Sequence, residues 1–522
     1  MAVSSSSNIL NPNGTGLNPI TNLPYTEKYK ELAKKWSTLP AYEKSEEIIE
    51  AIKNNQIILI SSGTGSGKTL LTPKFALEVF EYKGKIAITL PKQILTVSNA
   101  SFQAEISDLE LGKHVGYVYK GSDKKYSSDN NLLTYATDGT IVAQLLKDPE
   151  LKNFNCVIVD EAHERKVQID LLLYLLKNTC KLRTDFKLII MSATVNEKIF
   201  QEYFKEQGFI HFDIGSKTNY PIQSIFLEKP VEPNMYIEKG FQIVNDILNQ
   251  SENDSHSDIL FFVTSINETI DGCKKINIHP KKNILYCAEV YAGMNQLNQE
   301  LAQDEELYKE KFGKSRKIVF ATNVAESSLT ISGIKYVIDS GYELFNYYNP
   351  MLRAKVLDKK LITHAQAKQR MGRAGRTGPG ICYHLYTKSD FDSMEKYPQP
   401  TIRVSEISGE CLRLLNLPLV GTVDKLRDIL NEFIEPPTEK YVKDALNTLM
   451  KLGLIENNEL TSLGKLVADM QLDPWGAVAV IVGYNLNCSK EVIAILAMMD
   501  AMKNNISELF IGLDKTDDNG ND

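Results

Sequence analysis

Ile57-Ile58-Leu59-Ile60-Ser61-Ser62-Gly63-Thr64-Gly65-Ser66-Gly67-Lys68-Thr69 places an apolar strand, a glycine-rich turn and the start of a helix-compatible run, Leu70 to Phe80, in direct succession. That order is the setting of a phosphate-binding P-loop. Glycines let successive backbone N–H groups turn toward one point, and the following helix presents its positive end there, so phosphates are held by main chain. Gly63, Thr64, Gly65, Ser66 and Gly67 make the loop, Lys68 reaches the outer phosphates, and the Thr69 hydroxyl is placed to ligate Mg²⁺. The strict pattern has glycine where this chain has Ser62, so the loop is a variant.

Val157-Ile158-Val159 leads directly into Asp160-Glu161-Ala162-His163-Glu164-Arg165. A strand ending in paired carboxylates next to a P-loop strand is a Walker B arrangement. Asp160 would hold Mg²⁺ through water, and Glu161 would orient an attacking water and accept its proton. Alone, such a pair is an ordinary solvated strand end; the P-loop gives it meaning. Ser192-Ala193-Thr194 ends the next apolar run, where small hydroxyl residues can relay the state of bound phosphates to a neighbouring domain. Further on, Gln369-Arg370-Met371-Gly372-Arg373-Ala374-Gly375-Arg376 spaces three arginines so that a helix would set them near one face. Such stacked charges repel, and a triphosphate would relieve the repulsion. An arginine at the γ-phosphate stabilises the charge of a phosphoryl-transfer transition state. Without the P-loop the same octapeptide reads as a basic, solvated helix.

Short apolar runs alternate with helical stretches around these motifs. Ile86–Leu90, Leu132–Ala136, Cys156–Val159 and Leu188–Met191 are predicted strands of a parallel sheet covered on both faces. A second series, Ile259–Val263, Ile284–Cys287, Lys317–Ala321, Tyr336–Asp339 and Ile381–Leu385, predicts another sheet without its own P-loop. Within it, Gln250–Asp258 reads as a surface loop and residues 344–362 as a projecting hairpin. The fold class is therefore α/β with two tandem doubly wound units. From about Thr401 the pattern turns helical. Val442, Leu446, Leu449 and Leu452 share one helix face, Gly453 suits its C-terminal cap, and residues 455–460 predict a short β-wing. Residues 1–24, rich in Ser, Asn, Pro and Gly, read as a flexible tail, and the spacing over 41–53 is helical. Residues 475–499 are apolar but interrupted by Asn485, Asn487, Lys490 and Glu491, which predicts a buried helix pair rather than a membrane span.

A chain of 522 residues suggests about three domains at ~150 residues each, and an apolar content of 43% can fill several cores. The net charge of −7 argues against a passive nucleic-acid binder while leaving room for a locally basic channel. Seven scattered cysteines without a CxxC pair point to a reducing, intracellular setting with neither disulfides nor zinc. No early apolar run resembles a signal peptide. The expectation is a soluble intracellular protein without membrane association, with nothing to choose between cytoplasm and nucleus.

In order along the chain, GTGSGKT, DEAHER, SAT, TNVAESSLTISGIKYVIDSG and QRMGRAGRTGPG resemble the DEAH-box (DEAH/RHA) RNA helicases of helicase superfamily two, and LTSLGKLVADMQLDP resembles that family's winged helix. The resemblance covers about residues 39–500. It implies RecA-like domains over 39–213 and 214–400, a winged-helix region over 401–472 and a partial ratchet-like helical region over 473–513, flanked by a flexible N-terminal tail over 1–38 and, from its composition, an acidic tail over 514–522. The family's C-terminal oligonucleotide-binding domain is not expected within these residues. The implied activity is Mg²⁺-dependent hydrolysis of ATP or another NTP. That hydrolysis would drive movement, 3′ to 5′, of a monomer along single-stranded or partly duplex RNA.

The resemblance assigns Gly65, Gly67, Lys68 and Thr69 to phosphate and Mg²⁺, and Asp160, Glu161 and His163 to the metal, the attacking water and the nucleotide. Gln369, Arg373 and Arg376 would meet the γ-phosphate, and Ser328 would sense phosphate state. Lys92, Thr137, Asp138, Gly139, Thr264, Thr322 and Asn323 would grip the RNA strand, since amides and hydroxyls at loop tips hold sugar-phosphate without reading bases. Three positions depart from the family. Lys92-Gln93 replaces two arginines, Ser332 replaces an aspartate that holds ribose, and Phe102 replaces an arginine that stacks on the base. Weak selectivity among bases is the expectation. An RNA-stimulated NTPase that remodels without processive unwinding, and a helicase preferring DNA, stay open. A scaffold with a dead NTPase core would lack Lys68, Glu161, Gln369 or Arg376, and all four are present.

Overall fold

The computed structural model describes residues 8–501 except 64, 194–195, 216–219, 251–256, 328, 330, 376–377, 419 and 471. Thr64, Thr194, Ser328, Arg376, most of the predicted surface loop and the acidic tail thus lie outside the described residues. Residues up to Tyr347 together with Lys355–Pro400 make one compact unit; Tyr348–Ala354 and the chain from Thr401 onward make a second.

The first unit is built on two sheets. One contains β1 (Ile57–Ser62), β2 (Ile86–Leu90), β3 (Val115–Val118), β4 (Leu133–Thr137), β5 (Cys156–Val159), β6 (Lys187–Ser192) and β7 (Phe209–Gly215) in the order β3-β4-β2-β5-β6-β1-β7. Every pairing is parallel. β1, β2 and β5 are buried at every residue, which is why they read as unbroken apolar runs. Because all strands point one way, the residues that follow β1, β5 and β6 emerge at the same end of the sheet.

The other sheet contains β8 (Ile222–Leu227), β9 (Asp258–Phe262), β10 (Leu285–Val290), β11 (Arg316–Ala321), β12 (Ile334–Asp339) and β15 (Gly380–Thr387) in the order β10-β11-β9-β12-β15-β8, again all parallel. β13 (Tyr342–Asn349) and β14 (Ala354–Leu361) pair as a separate ribbon, close to the hairpin expected over 344–362. Three strands escaped the apolar patterning: β3, β7 and β8. All three are edge strands, and β7 and β8 are only half-buried, so no continuous apolar run announces them.

Two expectations need correction here. Residues 8–38 are not a flexible tail. Ile9, Leu10, Tyr25, Tyr29, Ala33 and Trp36 belong to the core cluster of the first sheet. Thr26 caps the helix Glu27–Trp36, and its hydroxyl donates to Asp108 Oδ1 at 2.7 Å. The few apolar anchors are diluted among polar residues, so composition alone hid them. Nor is the chain without a disulfide: Cys273, on the helix Ile266–Asn277, is bonded to Cys287 on β10. Packing of that helix against β10 brings together cysteines 14 residues apart, a pairing that spacing does not reveal. The other five cysteines are free.

In the second unit, the helix Glu439–Lys451 buries Val442, Leu446 and Leu449, and Gly453 follows it with a φ of 68°. β16 (Ile455–Glu456) and β17 (Glu459–Leu460) pair antiparallel across Asn457 and Asn458, whose positive φ values of 49° and 71° suit a two-residue hairpin. Tyr348 donates its hydroxyl to Asp444 at 2.8 Å and accepts at its carbonyl from Tyr441 at 2.9 Å. The expected helix pair is Pro474–Asn485 and Ser489–Ala501, but it is not buried: Trp475, Tyr484, Leu486 and Ile493 are all exposed. Among the described residues no single helix is long and apolar enough to cross a membrane.

Candidate nucleotide site and strand-binding ends

Gly65 and Gly67 adopt φ of 84° and 86°, which L side chains rarely reach, and the helix Lys68–Val79 starts immediately after them. Ser62 instead ends β1 in extended strand conformation. The glycine of the strict pattern is therefore not needed at that position. The loop is closed from the N-terminal side: Ala41 N–H donates to the Ser66 carbonyl at 2.9 Å, and Leu39 packs where a side chain on Gly67 would have to go.

The carboxylate pair meets the loop directly. Thr69 Oγ1 donates to Asp160 Oδ2 at 2.8 Å, and the Glu161 N–H donates to Asp160 Oδ1 at 2.8 Å. Asp160 is wholly buried, and burial with the neighbouring Glu161 charge pushes its carboxyl up to about 6, against the pull of Lys68. Glu161 is likewise raised by burial, while Lys68 and Arg373 act to lower it. Its backbone sits at φ 56°, an uncommon conformation for a non-glycine residue, and it turns the chain out of β5. His163 Nδ1 lies 3.3 Å from Glu161 Oε2 and 3.4 Å from the N–H of Ala193, which follows β6. Burial and the Lys68 charge drop its imidazole to about 4, so it is neutral near pH 7.

Arg370 and Arg373 do not share a helix face. The helix His364–Met371 stops before Arg373. Arg370 is fully buried and reaches Glu326 Oε1 at 2.7 Å through Nε and Asp339 Oδ1 at 2.9 Å through Nη1. It is a core ion pair, and the expected relief by a polyanion is supplied by these two carboxylates instead. Arg373 donates to the Leu329 carbonyl at 2.9 Å and to the Glu326 carbonyl, with its charge still felt at Glu161. Gln369, on the same helix, is half-buried.

The family described as DEAD/DEAH box helicase matches residues 42–202, and the one described as helicase conserved C-terminal domain matches residues 239–378. A putative ATP-dependent RNA helicase, L540 of Acanthamoeba polyphaga mimivirus, is 39% identical over 506 residues, 96% of this chain and 72% of that protein. The chain belongs to the DEAH-type helicases of superfamily two. The helicase also matches the crystal structure of the Escherichia coli DEAH/RHA helicase HrpB with a TM-score of 0.74 at 26% identity. That match covers 89% of this chain but 56% of HrpB, so the helicase spans little more than half of HrpB's length.

The helicase's other expected contacts also fall at the carboxyl ends of strands, which in the first sheet is the end that carries the P-loop. Lys92 follows β2 and Thr137 ends β4, neighbours in the first sheet; Thr264 follows β9, and Thr322 and Asn323 follow β11, neighbours in the second. Burial lowers the Lys92 ammonium, and burial raises the Asp138 carboxyl to about 6. Gly139 lies in the first turn of the helix Asp138–Leu145. Thr264 gives both its N–H and its hydroxyl to Glu268 Oε2, each at 2.7 Å, while Asn323 is exposed.

Sequence reasoning missed Glu326 and Asp339, which hold Arg370, and Leu39 and Ala41, which brace the loop. It also missed His211. Its Nε2 lies 2.7 Å from Ser61 Oγ and its Nδ1 3.1 Å from Glu197 Oε1, beside a cavity of about 500 Å³ lined by Gly63 and Ala193 from one sheet and Lys368 from the other. Only for Ala41 was there a local signal, Pro40 opening a short helix ahead of the helix Ser45–Asn54 that leads into the P-loop strand.

Proposed function

We propose that this helicase hydrolyses ATP with Mg²⁺ and couples the cycle to movement, 3′ to 5′, along single-stranded RNA. The observation that carries the reading is the 2.8 Å hydrogen bond between Thr69 and Asp160, which joins the phosphate loop to the carboxylate pair. Backbone N–H groups around Gly65 to Lys68 cradle the phosphates, and Lys68 bears on the outer ones. Glu161 orients water and takes its proton. Its carboxyl, raised toward neutrality by burial, is suited to that exchange. Gln369 and Arg373, from the second sheet, would meet the γ-phosphate; Arg376 would join them, and Ser328 would sense the state of the phosphate.

The donor set fits Mg²⁺. Thr69 and Asp160 are hard oxygen ligands, and among the described residues no group of three His, Cys, Asp or Glu could enclose a metal. Such a cation takes most of its remaining shell from water and substrate phosphate. Bound there it would neutralise charge on the terminal phosphates.

RNA would lie across the strand ends carrying Lys92, Thr137-Asp138-Gly139, Thr264, Thr322 and Asn323. Touching both sheets, it would favour the closed arrangement in which Arg373 and Glu161 act on one phosphate. L540 is named an RNA helicase, which supports RNA over DNA as the strand. Residues 401–472 fit a winged-helix region, with β16 and β17 as its wing. Phe102, exposed on the helix Gln93–Ser107, offers a ring to any base and supports weak base selectivity. The test is NTP turnover with and without single-stranded RNA, run beside strand displacement on duplexes with 3′ or 5′ overhangs. No stimulation by RNA, or displacement only from 5′ overhangs, would refute the coupling or the direction respectively.

A further inference from the structure

Ser62 occupies the one P-loop position where this chain departs from the strict pattern, and its hydroxyl lies 2.7 Å from that of Ser66. Both serines are almost completely buried, at 2% and 5% exposure. Ser66 is held at two further points. Its hydroxyl also accepts from the Lys68 N–H at 3.4 Å, and its carbonyl accepts from the Ala41 N–H at 2.9 Å. Leu39 closes the space beside Gly67, where an added Cβ would come 2.7 Å from Leu39 Cδ1. The peptide between two glycines of positive φ is thereby pinned from three sides.

We propose that Ser62 is a positioning residue for the nucleotide, whose hydroxyl latches Ser66 and presets the phosphate-binding loop. A glycine-rich loop left free loses much conformational entropy when it closes on a ligand. A loop ordered beforehand binds more tightly because that cost is already met in the free protein. The latch is equally present before and during hydrolysis, so it strengthens nucleotide binding uniformly and leaves the chemical step alone. The proposal rests on the assignment of residues 63–69 to phosphate binding.

The test is a double-mutant cycle on the full chain, with Ser62→Ala, Ser66→Ala and the pair, reading ATP and ADP affinity, kcat and the thermal midpoint. Ser62→Gly gives the same reading if the alanine variant does not fold, since glycine also adopts the extended backbone that ends β1. Each single variant should weaken nucleotide binding about 3- to 10-fold, in line with one net hydrogen bond. The double variant should be no weaker than either single. In Ser62→Ala, kcat at saturating ATP should stay within twofold, a split that general damage to the fold would not produce. Unchanged affinity in Ser62→Ala, additive losses in the double variant, or a fall in kcat parallel to the fall in thermal midpoint would each overturn the proposal. Failure of the unaltered chain to bind ATP would instead overturn the phosphate-site assignment, and the latch with it.

Discussion

The Lys74 ammonium lies 4.0 Å from the centre of the Trp36 ring, with no exposure to water. Tyr29 presents its ring at 5.2 Å, and the Ile9 carbonyl accepts from Lys74 Nζ at 3.3 Å. Burial holds this ammonium well below the usual lysine range. A desolvated cation over an indole face is worth ~2 kcal/mol or more. The N-terminal segment thus compensates a buried charge on the very helix that begins with Lys68. Trp36→Ala should destabilise the protein by ~3–5 kcal/mol, combining a cavity with an uncompensated charge. Lys74→Met should recover part of that loss in the Trp36→Ala background. Denaturant unfolding of the four proteins in the cycle measures the coupling; strictly additive effects would mean that the ring and the ammonium do not support each other.

Lys68→Ala and Glu161→Gln should both abolish most turnover but divide on binding. Glu161→Gln keeps the phosphate cradle and loses the proton acceptor, so kcat should fall by ~10²–10⁴ while ATP affinity stays near that of the unaltered chain. Lys68→Ala should lose affinity as well. Equilibrium binding beside steady-state hydrolysis separates the two, and near-normal turnover in folded Glu161→Gln would remove Glu161 from its assigned role.

Arg370 and Arg373 should part company in the same way. Arg370→Ala leaves Glu326 and Asp339 as buried carboxylates without their cation, at a cost of roughly 3–5 kcal/mol. Its effect should show first in the thermal midpoint. Arg373→Ala should show first in kcat, because its charge reaches Glu161. A parallel loss of stability and turnover in both variants would contradict the division.

Asp339 supplies a pH signature. Burial alone would raise its carboxyl, but Arg370 and His384 outweigh burial and hold it well below the usual carboxylate range. Tyr386 adds a hydroxyl donor at 2.7 Å. The folded pKa lies below the unfolded value of ~3.9, so the folded state binds this proton less tightly than the unfolded chain. The stabilisation is fully present above about pH 4–5 and is lost as the pH falls below that. Unfolding free energies of the unaltered chain and Asp339→Asn should therefore differ by a steady amount from pH 7 down to about pH 4 and converge only as the pH falls below that. A constant difference below about pH 4 would show that the ionised carboxylate is not what stabilises the network.

The chemistry-bearing motifs and the buried strands were legible in the chain because each is a local feature. β1, β2 and β5 are apolar at successive residues since both faces are covered, and Gly65 and Gly67 announce a backbone that only glycine adopts easily. The nucleotide loop, the carboxylate pair and the two-sheet α/β plan follow from such runs. What involved residues far apart in sequence was decided only by the tertiary structure. Edge strands β3, β7 and β8 carry too little apolar signal to be seen before their neighbours exist. Trp36 becomes core only once Lys74 lies beneath it, and Cys273 meets Cys287 only when a helix packs on β10. Arg370 shows the reason most plainly. Its spacing from Arg373 is the same on paper whether it faces a ligand or the interior. Burial is settled by Glu326 and Asp339, which lie 44 and 31 positions away and satisfy the charge inside the protein.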